Sequence, residues 1–220
     1  MIEHVITSVK AASLVDDVVL ATTLLEADDE LERIGRAADV RVYRGSEEDV
    51  LARFVGALDG DSADVVIRHT GDDPLLDPNV IDCVVGNFLK SNCDYVSNIL
   101  ERSWPRGLDT EVFGKEVLNR ANQEAHLPEY REHVTLYMRT HGTIFRSQNV
   151  RALPQETWPD LRLCIDTAED KALLERIFST MYFPGKILRV GTVIGWLNEH
   201  PDVVELNRMV PQKTTLNKEF

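Results

Sequence analysis

The sequence predicts an α/β protein with a mostly parallel, doubly wound sheet. Short runs rich in Val and Ile alternate with helical apolar stripes between residues 2 and 98. The connections between them are a few residues long, as in successive βα units. The runs that read as strands are apolar on consecutive positions, as strands covered on both faces are.

A chain of 220 residues accommodates one large domain, or one domain with a small appendage. Its 43% hydrophobic and 28% charged residues are a soluble globular composition. No apolar run approaches the roughly 18 residues of a membrane span, and no signal peptide is visible, so the expected location is the cytoplasm, with no membrane partner. The formal charge of −13 argues against a nucleic-acid polymer, whose phosphates need clustered Lys and Arg, but leaves room for a single nucleotide. Cys83, Cys93 and Cys164 have no metal-binding spacing and read as reduced, packed thiols.

In chain order, Ile2, Val5, Ile6 and Val9 form the i, i+3, i+4, i+7 stripe of a helix over 2–12. A strand over 18–23 ends in hydroxyls, a helix over 28–38 turns Leu31 and Ile34 inward, and a short strand covers 40–43. Ser46-Glu47-Glu48-Asp49 reads as a capping box for a helix through Leu58. The strand over 64–69 is followed by Asp77 as a cap and Pro78 at the first position of a helix to Lys90. A strand over 94–98 completes the alternating part. Leu108-Asp109-Thr110-Glu111-Val112-Phe113 then alternates apolar and acidic residues, like an antiparallel or edge strand. Helices over 115–125 and 129–140, strands over 143–153 and 161–165, and a helix with Leu173, Leu174, Ile177 and Phe178 inward come next. The expected division is a domain over 1–190 and a helical arm with a polar tail over 191–220, suited to subunit contact in a homodimer.

Chemistry-bearing residues gather at strand ends. The run Val65-Val66-Ile67 gives way to Arg68-His69-Thr70 and then Gly71-Asp72-Asp73-Pro74. Ligands of open α/β sheets sit at the carboxyl ends of strands. Mg²⁺ takes one or two protein oxygens and completes its octahedron with phosphate and water, so these carboxylates suit it. An ordinary surface turn has the same composition. Asp166 also ends an expected strand, yet Asp166-Thr167-Ala168-Glu169 equally reads as a helix cap. Asp109 and Glu111 share one strand face, either toward a ligand or toward solvent. Arg131 and His133, early in a helix, could hold a substrate carboxylate or form a surface ion pair.

Arg44-Gly45-Ser46-Glu47-Glu48-Asp49-Val50-Leu51-Ala52-Arg53 resembles a motif of the acylneuraminate and 3-deoxy-manno-octulosonate cytidylyltransferases, in particular the spore coat polysaccharide biosynthesis protein F group. Arg68-His69-Thr70-Gly71-Asp72-Asp73-Pro74-Leu75, Asp94-Tyr95-Val96-Ser97-Asn98, Gly107-Leu108-Asp109-Thr110-Glu111-Val112-Phe113 and Arg131-Glu132-His133-Val134-Thr135 follow in that group's order. The resemblance implies a nucleotide-diphospho-sugar transferase-like three-layer α/β/α fold. It also implies transfer of CMP from CTP to a 2-keto-3-deoxy sugar acid with release of pyrophosphate. By the same resemblance Asp72 and Asp166 would hold Mg²⁺. Asp109, Glu111, Arg131 and His133 would line the sugar pocket, and Arg68 would sit beside the nucleotide.

Ala168, Leu136 and Arg106 depart from the group's pattern, Arg106 standing where an acidic residue is usual. These departures bear on the identity of the sugar. The pattern also opens with a strand and a basic, Gly-rich loop for CTP, whereas Met1-Ile2-Glu3-His4-Val5 matches the helix after that loop. A start downstream in a longer gene, an inactive remnant and a strand supplied by a partner chain are the competing accounts. Impaired turnover of the sequence as written is the expectation. Alternatives of other chemistry are a nucleotidyltransferase for a sugar phosphate and a non-catalytic module that binds a sugar acid or pairs subunits.

Overall fold

A computed structural model describes residues 1–212; the expected polar tail from 213 onward lies outside the described residues. Helix α1 (Ile2–Lys10) buries Val5, Ile6 and Val9, the stripe its spacing predicts. Strand β1 (Val19–Thr23), α2 (Asp29–Ala37), β2 (Arg41–Gly45), α3 (Val50–Ala57), β3 (Val65–Arg68), α4 (Pro78–Lys90) and β4 (Tyr95–Ser97) follow in alternation. Asp77 caps α4 by accepting from the Asn79 N–H at 2.9 Å, with Pro78 at the first helical position. The cap of α3 is Asp49, which accepts from the Ala52 N–H at 2.8 Å. Ser46 only accepts from the Asp49 N–H at 3.0 Å one turn earlier, so the helix starts later than a capping box at Ser46 implies.

The second half holds β5 (Glu111–Gly114), α5 (Lys115–Glu124), α6 (Pro128–Glu132), α7 (Leu136–Thr140), β6 (Ser147–Asn149), α8 (Ala168–Met181), α9 (Val190–Glu199) and α10 (Pro201–Val204). Three expectations change here. The helix expected over 129–140 is two short helices, α6 and α7, broken at His133, whose ψ of 77° is not helical. The strand expected over 143–153 shrinks to β6. Residues 161–165 form no ladder; their one β-bridge is parallel, Arg106 opposite Arg162.

Strands β1 and β2 pair in parallel, Val19 opposite Arg41. A four-stranded sheet has the order β3-β5-β4-β6. Because β5 is antiparallel to both β3 and β4, and β4 is parallel to β6, only β5 of the four runs against the rest. The alternating acidic and apolar strand is therefore central. It is not an edge, and that explains why Glu111 is buried.

Side-chain alternation sends Val112 and Val96 to one face and Phe113 and Tyr95 to the other. The first face is covered by α1, α4, α8 and α9, and the second by α3, α5, α6 and α7. This is a three-layer α/β/α arrangement. Helix α1 packs against α2 and α4, and α3 packs against β1, β2, α5 and α6, so both sheets lie between the same helical layers. Among the described residues, β1 and β3 each have a ladder partner on one edge only.

The C-terminal helices join this core. Val190, Val193, Ile194, Leu197 and Val203 are buried with Val84 and Leu173. Asp77 ties α9 down: it accepts from Arg189 Nη1 and from the Val190 N–H, each at 2.8 Å.

One glycine is indispensable. Gly107 has φ of 96°, and a Cβ there would lie 2.6 Å from the Leu163 carbonyl carbon and 2.8 Å from the Cys164 nitrogen. Both the backbone conformation and the close approach require the missing side chain. Gly107→Ala is expected to cost about 3 kcal/mol or more, the range of combined strain and overpacking. Urea unfolding measures it; a loss under about 1 kcal/mol would show that the 161–165 segment yields easily.

Candidate active site

The turn after β3 places two carboxylates differently. Asp73 is buried at 3% exposure, and Thr70 Oγ1 donates to its Oδ2 at 3.0 Å. Burial first, and then the charges of Asp109 and Asp72, push the Asp73 carboxyl well above the usual carboxylate range. Asp72 is half-buried, and its carboxylate has no hydrogen-bond or ion-pair partner among the described residues. Its backbone carbonyl accepts from the Ile165 N–H at 2.9 Å. That bond brings the Asp72 turn against the segment that carries Asp166.

The same segment is gripped by the turn before β5. The Arg106 N–H donates to the Leu161 carbonyl at 2.9 Å, and the Leu163 N–H donates to the Arg106 carbonyl at 2.8 Å. Three stretches far apart in the chain, around 72, 107 and 165, thus meet at the ends of the sheet. Asp109 follows in the second stretch. Arg102 forks onto it, Nη1 to Oδ1 at 2.6 Å and Nη2 to Oδ2 at 2.8 Å.

Asp166 accepts from Arg162 Nη2 at 2.7 Å through Oδ2, and its side chain is 38% exposed. Its Oδ1 keeps no partner among the described residues. The cap of α8 is Thr167, in a reciprocal box with Asp170, so Asp166 is not spent on capping. Asp170 is buried and holds Arg162 through Nε at 3.0 Å and Nη2 at 2.8 Å. Cys164 lies beside these groups, and burial pushes its thiol up to about 12, so it is not a nucleophile at neutral pH.

Glu111 does not face an open pocket. It accepts from Tyr95 Oη and Thr135 Oγ1, each at 2.5 Å, and pairs with Arg68. Burial opposes its charge, yet Arg68 and the two hydroxyls hold it below the usual range. Arg68 keeps its Nε buried without a partner. Arg131 is bound to Asp49, through Nε at 3.0 Å and Nη2 at 2.8 Å, and ties α6 to the start of α3. His133 ends α6 half-buried, and none of its side-chain atoms makes a hydrogen bond to the 72, 107 or 165 turns. The structure therefore brings together the backbone segments that carry Asp72, Asp109 and Asp166, and places Glu111 with Arg68 in a buried network. Arg131 and His133 belong to a helix tie.

Several participants carry no sequence signal of their own. Arg102, Tyr95, Thr135 and Asp170 are ordinary residues until their partners are placed. His69 is another. Its Nδ1 is 3.0 Å from the Asp109 carbonyl, which only accepts, so Nδ1 carries the proton. Its Nε2 is then a bare acceptor, buried without a partner.

The donor set fits Mg²⁺ in one way. Among the described residues no group of three or more His, Cys, Asp or Glu side chains could cage a metal. A divalent ion carried by phosphates needs only one or two carboxylates, and Asp72 and Asp166 offer free oxygens on adjacent segments.

The cytidylyltransferase family model matches residues 1–194. The chain is 35% identical over 188 residues to the spore coat polysaccharide biosynthesis protein SpsF of Bacillus subtilis, covering 85% of this chain and 77% of that protein. It is 41% identical over 97 residues to the 3-deoxy-manno-octulosonate cytidylyltransferase of Pelobacter propionicus, covering 40% of this chain and 34% of that protein. A solved structure of a cytidylyltransferase from Leptospira borgpetersenii superposes with a TM-score of 0.85 at 28% identity, covering 92% of this chain and 84% of that one.

Burial, opposed by the bond to the Asp109 carbonyl, lowers the His69 pKa to about 4. An unfolded His titrates near 6.5, so below that pH the unfolded chain binds more protons. Stability from this group is complete above pH 6.5 and is lost as pH falls through the window down to about 4. His69→Gln is expected to flatten that limb by on the order of 2–3 kcal/mol in urea unfolding across pH. A variant with the same acid slope as the parent would show that His69 is accessible to protons in the fold.

Proposed function

The chain belongs to the cytidylyltransferase family, and we propose that it transfers CMP from CTP to a 2-keto-3-deoxy sugar acid, releasing pyrophosphate, in the synthesis of a surface polysaccharide. The observation that supports this reading is the backbone bond from Ile165 to Asp72, which holds the Asp72 turn against the segment that carries Asp166. The reaction joins the anomeric hydroxyl of the acid to the α-phosphorus of CTP and breaks the bond to the β-phosphate. Such chemistry depends on positioning and on neutralising negative charge. Asp72 and Asp166 would hold Mg²⁺, which when bound supplies that neutralisation on the phosphates.

The chain's own residues do the rest. Asp109, oriented by the Arg102 fork, would accept hydrogen bonds from sugar hydroxyls. Glu111 orients Arg68, which would sit beside the nucleotide. The printed names of the relatives support the acceptor class: one is a spore coat polysaccharide protein and another acts on 3-deoxy-manno-octulosonate.

Asp72→Asn is expected to lower pyrophosphate release from CTP by about 100-fold or more, the scale of losing one charge-stabilising group at a phosphoryl centre. Its melting temperature should stay within a degree or two, because the carboxylate has no partner to lose. Release is measured with Mg²⁺ and a panel of octulosonate and nonulosonate acids, and chelation by EDTA should abolish it. Turnover with sugar phosphates and none of the acids would overturn the acceptor class; undiminished turnover by Asp72→Asn would overturn the metal assignment.

A further inference from the structure

We propose that Arg106 is the residue that recognises the carboxylate of the acceptor. This deepens, and rests on, the sugar-acid reading above.

The arginines near the site differ in how far their donors are committed. A guanidinium has five N–H donors. Those of Arg131 are committed: Nε and Nη2 to Asp49, Nη2 also to Asn122 Oδ1 at 2.7 Å, and Nη1 to the carbonyls of Asn122 at 2.9 Å and Ala125 at 3.4 Å. Releasing it would break the tie between α3 and α6. Arg102 forks onto Asp109, and Arg162 serves both Asp166 and Asp170. Arg106 differs. It is half-buried, yet its side chain has no hydrogen bond or ion pair among the described residues.

Its position is set by the backbone. Arg106 and Arg162 are opposite each other in a parallel bridge, so their side chains leave on the same face. Alternation puts Cys164 and Asp166 on that face too, while Leu161 and Leu163 enter the core. Arg106 therefore lies on the side of the 161–165 segment that carries Asp166, and the same segment bonds through Ile165 to the Asp72 turn. Gly107 locks this geometry from the next position.

Its electrostatics suit an incoming anion. Burial, then the positive charge of Arg102, hold the Arg106 pKa below its ordinary value against the opposing charge of Asp109. A guanidinium stays charged regardless. A partly desolvated cation with no bonded counter-charge is costly, and an incoming carboxylate relieves the cost with a planar two-bond fork.

The test titrates the full-length protein, with MgCTP present, against 3-deoxy-manno-octulosonate, N-acetylneuraminate, their methyl esters and glucose 1-phosphate. Calorimetry gives the affinity of the parent, Arg106→Gln and Arg106→Lys. Arg106→Gln is expected to weaken the preferred acid by ~10–100-fold, the scale of a charge-assisted fork. Its affinity for the methyl ester and for MgCTP should match the parent, and Arg106→Lys should fall between. Equal affinity of the parent and Arg106→Gln for the acid overturns this assignment and leaves the sugar-acid reading standing. A parent that binds glucose 1-phosphate and neither acid overturns both. Melting temperatures of the variants within a degree or two of the parent exclude a folding defect as the cause.

Discussion

The close contact of Gly107 with the Leu163–Cys164 backbone is the constraint on which the site depends. The segment over 161–165 has no ladder of its own to hold it to the sheet, only the bridge at Arg106 and the bond from Ile165 to Asp72. A side chain at 107 would push that segment outward. Asp166 would then lose its place beside Asp72, and Arg106 would lose the bridge that aims it. One missing Cβ therefore determines whether carboxylates nearly a hundred residues apart meet. That is why a turn far from the chemistry in sequence is central to it in space.

Charge is arranged around that contact in a graded way. Arg102 is matched to Asp109, Arg162 to Asp170 and in part to Asp166, and Arg68 to Glu111. The fully matched pairs are the more buried ones, as desolvation requires. Among the described residues, Asp72, one oxygen of Asp166 and the guanidinium of Arg106 are unmatched, besides the buried Arg68 Nε and His69 Nε2. The first three are the groups that a divalent ion and an acid could complete. Asp73 shows the other solution to crowded carboxylates: buried beside Asp72 and Asp109, it favours its neutral form and removes a repulsion. The net charge of −13 does not by itself say where the chain can take a polyanion. The local pairing does.

Much of the fold was legible because its signals are local. The α1 stripe, the Asp77-Pro78 start of α4 and the apolar run of β3 each depend on neighbouring residues alone, and each is found where the sequence places it. Asp72 and Asp166 could be named as strand-end carboxylates, but their meeting could not, since it rests on hydrogen bonds between distant turns. Glu111 faces neither solvent nor an open pocket, and the sequence hides this for a physical reason. Apolar-acidic alternation looks the same whether the acid faces water or a buried arginine, and only the central position of β5 decides. Arg131 was legible as a cation near a helix start, but Asp49, its partner across α3, is a helix cap whose second role has no local sign. The break at His133 was equally hidden, because what it achieves, bringing Thr135 to Glu111, is tertiary.

The two halves of the site differ in how they are supported, and this bears on how such a protein can change. The side proposed to hold the metal stands on β3 and on backbone bonds, so its geometry is independent of most side chains near it. The acceptor side stands on the turn before β5, where Gly107 is fixed and position 106 is not: the Arg106 side chain bonds to nothing among the described residues, while its backbone makes the bridge. A substitution at 106 therefore leaves the bridge, the Gly107 contact and Asp72 in place while altering the charge presented to the acceptor. Position 106 is where acceptor preference can shift without dismantling the phosphoryl-transfer end, because the constraint lies in its main chain and the specificity in its side chain.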